Sequence, residues 1–143
     1  MRYLLDINLL LALMDQDHAF HQRAHKWWAG CGGKWASCPL TENGLVRIIT
    51  SPAYSKTADF TVAEMAGRLR AFAGATDHGF WPDSLSLRDE RHFQHATILT
   101  GKHLTDIYLL ALAVANNGCL VTFDRHIPLA AVKQAEGRHL MVI

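Results

Sequence analysis

Short apolar runs that stop at polar residues alternate along the chain with segments of helical period, the pattern of an α/β fold with a central, mainly parallel sheet flanked by helices. Tyr3-Leu4-Leu5 reads as a strand ending at Asp6, and Leu9 to Met14 as a short helix. A second helix is predicted over His18 to Ala29, where Phe20, Ala24, Trp27 and Trp28 recur at helical spacing and Gly30, Gly32 and Gly33 end it. Trp35-Ala36-Ser37-Cys38 reads as the second strand. Pro39 then opens a helix that carries Leu45, Val46, Ile48 and Ile49 and ends before Ser51-Pro52.

The second half continues the alternation. A polar loop over Pro52 to Phe60 leads into an amphipathic helix over Thr61 to Ala73, with Val62, Met65, Ala66 and Leu69 on one face. Gly79-Phe80-Trp81-Pro82 reads as a short edge strand and Leu87 to Thr97 as a helix. Thr105 to Asn116 is the clearest helix: Ile107 to Ala115 is apolar all round, so it is expected to be buried, and Asn117-Gly118 terminates it. Cys119 to Phe123 reads as a central strand ending at Asp124, and Leu140 to Ile143 as the last strand. The 143 residues are expected to form one domain over 1–143, large enough to bury a core.

Composition narrows the class. Half the residues are hydrophobic and 19% are charged, as in ordinary soluble proteins. A net charge of +1 excludes a strongly basic nucleic-acid binder, so any such contact must come from a local patch. The three cysteines, Cys31, Cys38 and Cys119, are odd in number and match no zinc or redox spacing, so each reads as a small buried hydrophobe. Asp6 comes too early for a secretory signal core, and no apolar run is long enough to span a bilayer. A cytoplasmic location is the resulting expectation.

The chemistry lies in where four acids fall. Asp6 and Asp124 each follow a strand, and Glu42 and Asp106 each stand in the first turn of a helix. In a parallel sheet, strand C-termini and the N-termini of the following helices share one edge, where ligands of such sheets bind. Thr122 lies two residues before Asp124, so strand alternation puts both side chains on one face. Asn8 can offer an amide to the same region, and Thr105 can cap the helix that carries Asp106. Carboxylates gathered in a cleft repel one another, and a divalent cation relieves that repulsion. Oxygen ligands suit Mg²⁺ or Mn²⁺, whose chemistry on a phosphate substrate is phosphodiester hydrolysis. Singly each acid has a plain structural reading. The helix dipole favours Glu42, and Asp is a common turn residue at positions such as 6 and 124. Asp106 stands apart because its helix has no polar face.

Four segments resemble the PIN-domain family, and within it the VapC-type toxins of toxin–antitoxin pairs. They are Leu4-Leu5-Asp6-Ile7-Asn8-Leu9-Leu10, Cys38-Pro39-Leu40-Thr41-Glu42-Asn43-Gly44-Leu45-Val46-Arg47-Ile48, Leu104-Thr105-Asp106-Ile107-Tyr108-Leu109 and Leu120-Val121-Thr122-Phe123-Asp124-Arg125. They occur in the family's order and span nearly the whole chain, while residues from about Ser51 to Leu104 carry no family signature. The resemblance implies a PIN-like fold, Mg²⁺- or Mn²⁺-dependent RNA cleavage, homodimerisation and inhibition by a small antitoxin. It also implies a catalytic quartet of Asp6, Glu42, Asp106 and Asp124, with the metal on Asp6, Asp106 and Asp124 and support from Thr122, Asn8 and Thr105.

Other features are set aside or left open. His21 and His25 have the spacing of a metal pair but lack a third ligand, so they read as surface or packing residues, and His103 reads as a loop histidine. Trp27 and Trp28 read as core or dimer packing rather than base-stacking. Arg47 and Arg125 are candidate RNA phosphate contacts or plain surface charges. Two alternatives stand beside the nuclease. One is a non-catalytic RNA- or protein-binding module on the same fold. The other is a phosphatase with an Asp nucleophile, which expects D-x-D where this chain has Asp6-Ile7-Asn8.

Overall fold

A computed structural model describes residues 1–143. Five strands, β1 (Tyr3–Leu5), β2 (Lys34–Ser37), β3 (Asp77–Phe80), β4 (Cys119–Thr122) and β5 (Leu140–Val142), form one sheet in the order β3-β2-β1-β4-β5. Every pairing is parallel, with Leu4 opposite Leu120 and Leu5 opposite Val121. The helices are α1 (Ile7–Met14), α2 (His21–Gly30), α3 (Pro39–Ile49), α4 (Val62–Ala75) and α5 (Leu104–Ala115).

The topology fixes where a ligand site belongs. The chain runs outward from β1 through β2 to β3, then returns to place β4 and β5 on the other side of β1. The order therefore switches between β1 and β4, and in open parallel sheets the crevice outside the strand C-termini at such a point takes ligands.

Strand alternation divides the core. Leu4, Ala36 and Leu120 face the layer that holds α5, where they pack with Ile107, Leu110 and Phe93. Leu5, Trp35, Cys119 and Val121 face the opposite layer and pack with Leu9 and Leu10 of α1, Leu45 of α3 and Met65 of α4. At Gly44 of α3 a Cβ would meet Ile7 Cδ1 at 2.5 Å. Only glycine lets α3 lie this near the first turn of α1.

The expected helix over Leu87 to Thr97 does not form. Apart from one 3₁₀ turn at His95–Thr97, the segment is irregular. Side chains take over its backbone donors: Ser86 Oγ accepts from Arg88 N at 3.2 Å, and Asp89 Oδ1 from Arg91 N at 2.9 Å. Phe93 then buries its ring against the α5 layer through an antiparallel bridge to Val132. The apolar residues that suggested a helix face thus find cover without one. The edge strand expected at 79–82 starts two residues earlier, at Asp77. No helix is long and apolar enough to cross a membrane.

Candidate active site

Asp6 follows β1 and caps α1. Its Oδ1 accepts from Ile7 N at 2.7 Å and its Oδ2 from Thr122 Oγ at 2.7 Å, and the residue is 4% exposed. Leu4 faces the α5 layer, so Asp6, two residues on, emerges on that side as well. Burial raises its pKa, the two hydrogen bonds oppose that shift, and the charge of Asp124 adds to it. Thr122 is fully buried. Besides donating to Asp6 it accepts from Asp124 N at 3.0 Å, so one hydroxyl ties together the ends of β1 and β4.

Asp106 stands in the first turn of α5. Its pKa is pushed up to about 6, first by burial and then by the charges of Asp6 and Asp124, with His103 opposing. Its side chain accepts no hydrogen bond, and its one ion-pair contact is His103 Nδ1 at 3.8 Å. Asp124 has the opposite character. Its Oδ1 accepts from His126 N at 2.7 Å, and this bond leads the causes that hold its pKa below the usual carboxylate value. Its Oδ2 lies 3.5 Å from His103 Nδ1.

Glu42 is anchored differently. Ser37, the last residue of β2, donates to Glu42 Oε1 at 2.6 Å and lies 2.7 Å from His78 Nε2 on β3. With Glu42 ionised, the single hydroxyl proton of Ser37 goes to the carboxylate, so the proton between Ser37 and His78 sits on His78 Nε2. Burial lowers the pKa of His78, and the charge of Glu42 works against that shift. The charge of Asp124 acts on Asp6, and those of Asp6 and Asp124 act on Asp106, whereas the contacts of Glu42 run to Ser37 and, through it, toward His78.

The remaining candidates divide. Asn8 is exposed on the first turn of α1, with no hydrogen bond to the acids. Thr105 is not the cap of α5: the helix starts one residue earlier, its cap position is His103, and Thr105 stands exposed inside the first turn. Arg47 and Arg125 are exposed, Arg125 directly after Asp124. Trp27 and Trp28 pack within the chain, Trp27 edge-on to Tyr3 and Trp28 against Trp35 and Phe72. His21 and His25 reach the carbonyls of Ala12 and Leu13 at 2.7 and 3.1 Å, covering acceptors at the end of α1. Sequence reasoning set His103 aside as a loop histidine and missed Ser37 and His78. The i, i+3 spacing of His103 and Asp106 was a usable signal for the first, while nothing local pairs Ser37 with a residue 41 positions away.

The donor set suits a divalent cation. His103 Nδ1 and one carboxylate oxygen each from Asp106 and Asp124 lie within 4.8 Å of one another, and Asp106 has no hydrogen bond to satisfy it otherwise.

The sequence profile described as PIN domain matches residues 3–133. The chain belongs to the PIN domain family. Relatives of this PIN domain include ribonuclease VapC44 of Mycobacterium tuberculosis, 42% identical over 144 residues and covering 100% of both chains. Ribonuclease VapC39 of the same organism is 34% identical over 125 residues, covering 87% of this chain and 89% of that one. The fold is similar to a chain in the crystal structure of VapBC2 from Rickettsia felis bound to a DNA fragment from their promoter, with TM-score 0.52, 17% identity and coverage of 88% and 90%. The PIN-like fold with a central parallel sheet, expected from the sequence, is the one found.

Proposed function

We propose that this PIN domain is a divalent-cation-dependent ribonuclease, the toxin of a toxin–antitoxin pair. The single observation that carries the reading is the meeting of Asp6, Asp106 and Asp124, from opposite ends of the chain, at the switch point of the sheet, where burial first and then the charges of Asp6 and Asp124 push the pKa of Asp106 up to about 6. A fold that gathers like charges in a half-buried cleft is arranged for a cation or for proton transfer. The names of the VapC relatives supply the substrate class, RNA.

In this reading Asp6, Asp106 and Asp124 hold Mg²⁺ or Mn²⁺, and Glu42 is the fourth catalytic acid. When bound, the cation supplies Lewis acidity and neutralises charge on the phosphate oxygens. The protein supplies the placement. Thr122 fixes the rotamer of Asp6, and the backbone of His126 fixes that of Asp124. Ser37 orients Glu42. Asn8 and Thr105 stand exposed on the helix starts beside the acids, and Arg47 and Arg125 are exposed cations able to meet RNA phosphates. A small antitoxin is the expected inhibitor. Self-association as a homodimer would cover exposed apolar residues such as Val62 and Phe80, and light scattering tests it.

The reading is tested by incubating the purified chain with single-stranded RNA. Cleavage is expected with Mg²⁺ or Mn²⁺ and is expected to stop in excess EDTA. Undiminished cleavage in EDTA contradicts the cation role, and RNA binding without cleavage favours a non-catalytic module.

A further inference from the structure

We infer that His103 Nδ1 is a direct ligand of the divalent cation, alongside Asp106 and Asp124, and that it biases the site toward a first-row transition-metal cation such as Mn²⁺ over Mg²⁺. The inference rests on the cation-dependent reading above and adds to it a ligand and a preference.

The sequence His103-Leu104-Thr105-Asp106 puts the imidazole three residues before the acid at the start of α5, the spacing that brings two side chains to one helix face. Nδ1 lies 3.8 Å from Asp106 Oδ2 and 3.5 Å from Asp124 Oδ2. Neither distance is a good hydrogen bond. Both fit two atoms sharing an ion. With bonds of about 2.1 Å, ligands at a right angle lie about 3.0 Å apart and opposed ligands about 4.2 Å. The observed separations fall between these limits.

The contacts of the ring run only to these two acids. His103 occupies the cap position of α5 but makes no side-chain cap bond, and no other hydrogen bond involves its imidazole. The second histidine near the acids, His126, is a different case. Its Nδ1 lies 3.2 Å from Asp124 Oδ1, its side chain is 82% exposed, and it makes no ion-pair contact with Asp106. His103 alone reaches both acids.

A neutral imidazole changes the chemistry of an oxygen site. Mg²⁺ binds oxygen and keeps its waters, and gains little from a nitrogen donor. First-row transition-metal ions accept imidazole readily. A site that adds one Nδ1 to its carboxylates therefore discriminates between the two classes, where carboxylates alone would do so less.

The test uses the full chain loaded with Mn²⁺ and pulsed electron paramagnetic resonance, which reads nitrogen bound to the metal directly. Wild type is expected to show ¹⁴N coupling, replaced by the ¹⁵N pattern when histidine is ¹⁵N-labelled. His103→Gln is expected to lose the coupling while still binding Mn²⁺, and His126→Gln to keep it. In competition, the ratio of Mn²⁺ to Mg²⁺ affinity is expected to fall about tenfold in His103→Gln. The labelled wild type carries the test of histidine ligation if the variant folds poorly, and His103→Ala then supplies the assignment. Bound Mn²⁺ without nitrogen coupling, or coupling that persists in the His103 variants, overturns the ligand assignment alone. Absence of bound Mn²⁺ overturns the assignment together with the cation reading.

Discussion

Thr122 Oγ donates to Asp6 Oδ2 at 2.7 Å across 116 residues of chain, and the same oxygen accepts from Asp124 N. The last buried side chain of β4 thus holds the acid that follows β1 and the backbone of the acid that follows β4. The convergence of two distant carboxylates rests on this hydroxyl as well as on the sheet register.

Thr122→Val keeps the shape and removes the hydroxyl. It leaves a buried carboxylate oxygen and a half-buried N–H without partners, and is expected to destabilise the fold by about 1–3 kcal/mol. Because the lost bond favours ionised Asp6, the carboxyl pKa is expected to rise further, and RNA cleavage to fall at neutral pH. Thr122→Ser is expected to restore both. Denaturant melts and cleavage rates of the three proteins check this, and a fully active, fully stable valine variant would contradict it.

Asp106 makes the cation-free protein sensitive to pH. Its folded pKa, about 6, lies above its ordinary value of 3.8, so between these values the folded state holds a proton the unfolded chain has released. The resulting stabilisation is full below the ordinary value and is lost as pH rises through about 6. In EDTA at pH 7, Asp106→Asn is expected to be the more stable protein, by on the order of 1 kcal/mol once screening of this partly exposed group is allowed for. Melting curves from pH 4 to 8 read the difference directly. A variant less stable than wild type at pH 7 would reduce Asp106 to a helix-start residue favoured by the dipole.

Mn²⁺ should then reverse that order. At about 100 times its dissociation constant the ion stabilises wild type by about 2.7 kcal/mol. Asp106→Asn is expected to gain much less at the same concentration, and equal thermal shifts in the two proteins would count against Asp106 as a ligand.

The Ser37 hydroxyl carries a separate expectation. Ser37→Ala removes the donor to Glu42 Oε1 and the partner of His78 Nε2. If Glu42 acts in the reaction, kcat is expected to fall with little change in KM, because the acid loses its orientation and not the RNA its contacts. Steady-state kinetics with a short RNA decide it, and an unchanged kcat would assign the chain from Ser37 to His78 a structural role.

The sequence made the strand-end acids legible because their neighbours are periodic. Leu4-Leu5 and Leu120-Val121 are too short and too apolar to be anything but buried strands, and alternation then places Asp6 and Thr122 on the α5 side. The apolar run of α5 announced its burial in the same way. Residues 87–97 misled because Phe93 and its neighbours bury themselves through a bridge to Val132, a partner no local period reveals. Thr105 misled by two residues of cap position, which lies at His103 and leaves the hydroxyl in solvent. His103 itself was visible only as a neighbour of Asp106. Its approach to Asp124 depends on the meeting of α5 and the end of β4, which is tertiary.

The most direct test of the central claim is the cleavage rate of one RNA by wild type and by Asp6→Asn, Asp106→Asn and Asp124→Asn, assayed side by side in Mn²⁺ with circular dichroism confirming that each variant is folded. If the three acids form one cation-dependent site, each variant is expected to lose activity by about two orders of magnitude or more. Three folded variants that cleave at the wild-type rate would contradict it.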